Sequence, residues 1–288
     1  PGMVHVENPY AYRCPWGTDS PEECGRKALQ NIEKILSYEN PDSFAAILVE
    51  GESGTSGCIK YPKGFLQQLQ DIARKYGILF IVDEVMSGFG RTGKMFASEL
   101  HEIEPDMLCM AKGITSGYLP LGGLMVTDEI ADHFNNQALP LGLTYSAHSV
   151  SLAAALANIE EIEKVLPTVE DKGQFLEEEL TILKEMHPSI GDIRRTGLLT
   201  CIELVKDRET KEPLVPWNAT GVEAHTTAKI QHELIKAGLF TLVRWNWIFI
   251  CPPLTISNKE IMEGVRKLQA GLKLADKHTN VAISLGKE

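Results

Sequence analysis

The feature that most restricts the fold of this 288-residue sequence is a repeated alternation of an amphipathic helical pattern, a stop, and a short apolar run. Between Cys24 and Leu36 the apolar positions Ala28, Leu29, Ile32 and Ile35 recur at helical spacing, Pro41 closes the segment, and Phe44 to Val49 reads as a strand. The cycle repeats: Phe65, Leu66, Leu69, Ile72 and Ala73 share one helical face, Gly77 stops it, and the β-branched run Ile78 to Val82 comes next. Strands alternating with helices predict an α/β domain, a mainly parallel sheet covered on both faces.

Met107 to Met110 and Leu124 to Val126 read as further short strands. The pattern then changes to long helices, Ser149 to Val165 and Val169 to Met186, the second broken by Pro188. A domain boundary is placed on the first of these, giving a large domain over 1–163 and a smaller α+β domain over 164–288. In the smaller domain Gly197 to Val205 and Leu239 to Cys251 are expected as strands, and Ala224 to Lys236 and Lys259 to Asp276 as helices. Asp207 to Asn218, charged and carrying Pro213 and Pro216, is expected as an exposed hairpin or loop.

Hydrophobic residues make up 43% and charged residues 23%, ordinary soluble composition that argues against disorder or a fibrous repeat. A net charge of -11 opposes binding to nucleic acid or an anionic membrane through a broad basic surface. The strongest apolar runs, Ile78 to Val82 and Trp247 to Cys251, are too short to span a bilayer. Six cysteines are scattered without a C-x-x-C pair, so neither a metal site nor a disulfide framework is expected, and they read as free thiols of a cytoplasmic protein. The sequence opens at Pro1 without a methionine and already reads as the inside of a domain, so an N-terminal part is expected to be missing.

Open α/β sheets bind ligands at the carboxyl ends of their strands, which draws notice to Asp83 and Glu84; solvated loop carboxylates are the alternative. Gly88-Phe-Gly-Arg-Thr-Gly93 fits G-x-G-x-x-G, yet no clear helix opens after it and Asp106 precedes its strand. A tight glycine turn with Arg91 as a structural anchor is the better reading. Lys112 comes after the strand Met107 to Met110, between the small residues Ala111 and Gly113. An apolar setting makes a lysine a nucleophile toward carbonyls. A snorkelling surface lysine is the alternative.

In order, the strings AAILVEGESGTSG from Ala45, IVDEVMSGFGRTGKMFA from Ile81, PDMLCMAKGITSGYLPLGG from Pro105 and LTYSAHSVSLAAALA from Leu143 resemble class III aminotransferases of fold type I. RRTGLLTCIELVKDRETKEP from Arg194 and VRWNWIFICPPLTIS from Val243 resemble that family's small domain, and the residues after Thr279 match nothing in it. The resemblance implies pyridoxal phosphate as cofactor, Lys112 as its Schiff-base lysine and proton shuttle, and Asp83 as partner of the pyridine nitrogen. It counts Glu50, Val85 and Met86 among the cofactor's contacts, Met86 standing where many relatives have glutamine.

Thr144 matches a threonine that reaches the partner subunit's cofactor phosphate in a homodimer; as an ordinary threonine it would cap the helix-like segment Ser146 to Ile159. Arg244 stands where relatives hold the substrate's acid group, with Arg13 as rival. The implied reaction moves an amino group from an ω-amino acid or taurine-like donor to a 2-oxo acid such as pyruvate, Ala147-His148-Ser149 and Glu50-Gly51-Glu52 looking most like taurine:pyruvate-type enzymes. An aminomutase or decarboxylase of the same fold, or a non-catalytic fragment, are the alternatives. In the family, the phosphate-binding turn and a ring-stacking aromatic precede the region present here, so weak cofactor retention and an exposed sheet edge are expected.

Overall fold

A computed structural model describes residues 2–280. They divide into two compact units, one comprising the chain up to Gly54 together with Ile59–Leu166, the other comprising Thr55–Cys58 together with the chain from Pro167 onward.

The first unit is built from α1 (Pro21–Glu39), β1 (Ala46–Glu50), α2 (Phe65–Tyr76), β2 (Leu79–Asp83), α3 (Ala97–Leu100), β3 (Met107–Met110), β4 (Gly123–Val126), α4 (Asp128–His133) and α5 (Ser149–Val165). Helix α1 starts where Ser20 Oγ accepts the Glu23 N–H at 3.2 Å and Pro21 supplies a first position that needs no donor. Helix α2 ends at Gly77, whose φ of 64° lets the chain turn into β2. The sheet order is β1-β2-β3-β4, with the first three strands parallel and β4 antiparallel to β3.

Ala28, Leu29, Ile32 and Leu36 of α1 pack with Phe65, Leu66, Leu69 and Ile72 of α2 against Phe80 and Val82, with Ile47 and Val49 at the margin. These residues alternate along β1 and β2, so they cover one face. The other face carries Leu48 at 57% exposure and Leu79 at 36%, so among the described residues the sheet is not covered on both sides as the strand composition predicts. An apolar strand signals that its faces need cover; it does not say which residues supply it.

The second unit contains α6 (Val169–Met186), β5 (Ile190–Thr196), β6 (Leu199–Leu204), α7 (His225–Lys236), β7 (Val243–Arg244), β8 (Trp247–Ile250) and α8 (Asn258–Asp276). Its antiparallel sheet has the order β5-β6-β8-β7 and every residue of β6 is buried. Leu176, Leu180 and Leu183 of α6, Ile230 and Leu234 of α7, and Leu268 and Leu272 of α8 complete the core with Ile202, Leu204 and Ile248. A capping box opens α8: Ser257 Oγ accepts from the Glu260 N–H at 3.3 Å and Glu260 Oε2 accepts from the Ser257 N–H at 2.8 Å.

One strand is not expected from the sequence, and two expectations need correction. The expected strand Gly197 to Val205 is present as β6, and it pairs antiparallel with β5, which Asp192, Arg194 and Arg195 mask in the sequence. Leu239 to Cys251 is not one strand, because the chain reverses at Trp245, with φ 53°, and Asn246, whose carbonyl accepts the Leu204 N–H at 2.7 Å. Asp207 to Asn218 turns back as a hairpin or loop would, with Pro213 in an antiparallel bridge to Val205, but it is not exposed throughout, since Leu214 and Val215 are buried.

Candidate active site

The parallel register of the first unit sets Glu50 beside Asp83 and Asp83 beside Cys109, so two carboxylates end adjacent strands at the carboxyl edge of the sheet. Backbone bonds hold this edge as the strands part: Gly51 N–H donates to Asp83 O and Glu84 N–H to Cys109 O, both at 2.9 Å. Asp83 is half-buried, and its Oδ1 accepts the Val85 N–H at 2.8 Å, which fixes the carboxylate's orientation. Glu50 Oε2 accepts the Gly54 N–H at 3.1 Å. Burial pushes the Glu50 carboxyl above its ordinary range; the Gly54 N–H opposes this, the Asp83 charge adds to it, and the Lys112 ammonium opposes it. Lys112 thus lies within electrostatic reach of Glu50, and so does Asp83.

Lys112 is exposed and opens a single 3-10 turn, Lys112–Ile114, just after β3. Its φ of 40° is in the left-handed region, a conformation that costs a non-glycine residue on the order of 1 kcal/mol or more. Two contacts hold it there. A side chain at Gly113 would sit 2.8 Å from Phe89 Cβ and 3.3 Å from Gly88 O, so the glycine turn packs directly on the lysine's neighbour. From α5, Asn158 Nδ2 donates to Gly113 O at 2.8 Å and to Ile114 O at 3.1 Å. The small residues flanking Lys112 therefore admit protein, the turn at Phe89, on this side.

Asp83 and Glu84, adjacent in sequence, have different roles. Glu84 is fully buried, accepting the Ser87 hydroxyl at 2.5 Å and the N–H groups of Ala97 and Ser98 at 3.0 and 2.7 Å, and so anchors the start of α3. It is neither a solvated loop carboxylate nor open to a ligand. Gly88 to Gly93 is a run of turns with Gly90 and Gly93 at φ 88° and 90°, and α3 begins only at Ala97, so no helix opens on the turn. Arg91 there is half-buried. Val85 and Met86 are half-buried too, the Met86 sulfur lying against Gly54.

Thr144 sits in an exposed turn and does not cap a helix, since α5 starts at Ser149 with His148 at its N-cap. The helix-like segment begins three residues later than expected because Ala147, at φ 53°, interrupts it. Arg13 ends a 3-10 turn, Ala11–Arg13, in the first unit, with its guanidinium carbon 5.3 Å from the Tyr12 ring centre. Arg244 lies exposed on β7 of the second unit, 4.2 Å over the Trp245 ring.

Sequence reasoning missed Asn158, whose partners lie 44 and 45 residues away. It also missed a pair behind Glu50: His101 Nε2 lies 2.8 Å from Glu52 Oε1 with the Tyr61 ring edge-on to the imidazole at 6.2 Å. Burial, aided by the charges of Glu50 and Glu52, pushes the Tyr61 hydroxyl far up. No spacing in the sequence signals either.

A sequence model of the family described as "Aminotransferase class-III" matches residues 1–272. The chain belongs to the class-III aminotransferase family. Its fold is that of the fold type I transaminases, and a solved taurine:2-oxoglutarate aminotransferase from Bifidobacterium kashiwanohense, in complex with PLP and glutamate, is 38% identical at TM-score 0.90 over 96% of this chain and 62% of that one. An adenosylmethionine-8-amino-7-oxononanoate aminotransferase of Methanocaldococcus jannaschii is 35% identical over 94% of this chain and 61% of that protein. A putrescine–pyruvate aminotransferase of Pseudomonas aeruginosa is 35% identical over 91% of this chain and 57% of its own length. This class-III chain therefore spans between about half and three fifths of the length of the curated relatives it matches.

Proposed function

We propose that this chain supplies the lysine and the ring-facing aspartate of a pyridoxal-phosphate-dependent transaminase that moves an amino group from an amine donor to a 2-oxo acid. The observation that carries the reading is the gathering of Glu50, Asp83 and Lys112 at the carboxyl ends of three consecutive parallel strands.

The residues fit the aldehyde and ring of that cofactor. Lys112 offers a primary amine on an arm held by Asn158 and Phe89, and Asp83 offers an oriented carboxylate for a protonated ring nitrogen. Neither helix that begins ahead of Asp83 among the described residues suits its phosphate. Among the described residues ahead of Asp83, two α-helices begin: α1 has Glu22 and Glu23 in its first turn, which repel an anion, and α2 begins Phe65-Leu66-Gln67-Gln68, without a hydroxyl.

When bound, pyridoxal phosphate supplies a carbonyl that takes the amine and a ring that spreads the negative charge left at the amine carbon. Lys112 Nζ would be the amine that holds the cofactor through its carbonyl and, when free, the base that would carry the proton removed from the donor's carbon. Asp83 keeps a proton on the ring nitrogen by charge, and Glu50 adds negative potential behind it. Val85 packs on the ring. Thr144 reaches the phosphate bound by a second copy in a homodimer, which its exposed turn supports. Arg244, or failing it Arg13, takes the substrate's acid group by a bidentate contact. An ω-amino acid or taurine-like donor and pyruvate as acceptor are the expected substrates.

Borohydride reduction of the chain mixed with pyridoxal phosphate, followed by peptide mapping, tests the reading. Cofactor mass on the Lys112 peptide, lost in Lys112→Ala, is expected, with weak retention before reduction because neither α1 nor α2 offers the phosphate a site. Attachment at another lysine, unaffected by Lys112→Ala, sinks it. Alanine formed from pyruvate against glutamate formed from 2-oxoglutarate, across a donor panel, identifies the substrates.

A further inference from the structure

Helices α7 and α8 touch where a side chain at Gly271 would lie 2.9 Å from Leu234 Cγ and 3.1 Å from Ile230 Cγ2. Further along α7 and further back along α8, Lys267 Nζ donates to Gly238 O at 3.3 Å, so the two helices run antiparallel. Beside the contact they frame a groove of about 690 Å³. Its walls carry His225, Lys229 and His232 of α7, spaced to share one helical face, and Lys273 and Lys277 of α8, one turn apart. All five side chains are exposed. Ala228 and Ala270, which also line the groove, are too short to fill it. None of these groups is assigned a part in transamination.

The chain carries a net charge of -11, yet this groove is lined by three ammonium groups and a single carboxylate, Glu233. That carboxylate lies 3.8 Å from Lys236, outside the groove, and Lys267 on α8 pairs with Glu263 at 2.6 Å. Lys229, Lys273 and Lys277 have no carboxylate partner among the described residues. Like charges one turn apart on a helix destabilise it, so this cluster opposes the fold until an anion neutralises it. The cations recur along two facing helices, so only a ligand with several negative charges meets more than one of them. Lysine rather than arginine supplies the charge. The planar fork of arginine matches a carboxylate, whereas ammonium groups act as point charges that suit the oxygens of a phosphate. The volume is that of a small-molecule site.

We propose that the groove between α7 and α8 binds a small anion bearing a chain of phosphate groups, either free or carried on a nucleoside. Lys229 meets the phosphates from one wall, and Lys273 and Lys277 meet them from the other. The His225 and His232 imidazoles add N–H donors on the α7 side and flat faces on which a base can stack. The site needs no part of the transamination reading and stands if that reading fails.

Isothermal titration of the 288-residue chain with inorganic tripolyphosphate, ATP and citrate tests the proposal. Saturable binding of one tripolyphosphate or ATP per chain is expected, weakened by about tenfold or more in Lys229→Glu and in Lys273→Glu, with citrate weaker than either phosphate by a similar factor. Lys259→Glu makes the same change of charge in the first turn of α8 and should leave binding within about twofold. Tighter binding of ATP than of tripolyphosphate assigns the groove to a nucleotide, and equal binding assigns it to the phosphate chain itself. Absence of saturable binding by both phosphates, citrate binding as tightly as they do, or an equal loss in Lys259→Glu overturns the proposal. If a variant does not fold, acetylation of the parent decides. Tripolyphosphate should slow modification of Lys229, Lys273 and Lys277 but not of Lys259, and unchanged rates at the first three overturn the site.

Discussion

The second unit closes its own core, with β6 buried along its whole length, whereas the first leaves Leu48 and Leu79 of β1 and β2 open on one face of its sheet. That open face is also the one from which Glu50 and Asp83 project, two and four residues on from those leucines along the same strands. The unit bearing the candidate chemistry is thus the one whose apolar surface still calls for a partner, and contiguous exposed apolar surface of this kind marks a site of association. The unit with no proposed cofactor contact spends its polar groups internally: buried Arg194 pairs with buried Glu203 at 2.8 Å, and Trp247 Nε1 donates to the same carboxylate at 3.2 Å.

The largest expected effect tests that contrast directly. Glu203→Ala removes the buried carboxylate that pairs with buried Arg194, Asp192 remaining at 2.7 Å, and should cost about 3–5 kcal/mol in urea unfolding. Leu48→Ala, on the open face, should stay within about 0.5 kcal/mol. Similar losses in the two variants would erase the distinction.

A smaller effect sharpens it within the first unit. Asn158→Ala removes the side-chain donor that the Gly113 and Ile114 carbonyls share, the Gly113 carbonyl keeping the Ser116 N–H at 3.2 Å, a loss of about 1–3 kcal/mol confined to that unit. If Asn158 positions Lys112, borohydride trapping of cofactor there should slow several-fold. Leu156→Ala, at an exposed position of the same helix, should not slow it. Equal trapping in both would reduce Asn158 to a structural tie.

The smallest expected effect is in pH dependence. The Glu50 carboxyl is raised chiefly by burial, so in the window above the unfolded value of about 4.3 the folded chain binds more protons than the unfolded one. Its contribution is therefore fully present below that value and is lost as pH rises through the folded value. Glu50→Gln should flatten the acid side of the first unit's stability profile and leave that unit more stable than the parent at neutral pH. A steeper profile in the variant would contradict the burial argument.

Much of the fold is legible from apolar spacing alone. The helices Ser149–Val165 and Val169–Met186 and the strand Met107–Met110 fall where the pattern puts them, because each is long or sharply bounded. Strand β5 is not legible, since Arg194 looks solvated until Glu203 is brought beside it from the next strand. The reversal at Trp245 hides because tryptophan rarely marks a left-handed turn. At the candidate site, the places of Lys112 and Asp83 after apolar strands draw notice to them, while the roles expected of them come from the family resemblance. That Glu84 turns inward while Asp83 turns outward can be deduced from strand alternation only once β2 is known to end at Asp83. Asn158 and the His101–Glu52 pair are purely tertiary.

Thr55–Cys58 belongs to the second unit although the first unit's sequence surrounds it. A gene divided once, after Leu166, would therefore not separate the units cleanly. The downstream product would lack the Gly57 carbonyl that accepts Arg194 Nε at 2.7 Å, stranding a buried donor at a cost of about 1–3 kcal/mol. The upstream product would carry an orphan tetrapeptide between Gly54 and Ile59. Expressing the second unit alone requires splicing that tetrapeptide back to it through a linker, and any swap of this unit between relatives must exchange two stretches of the gene.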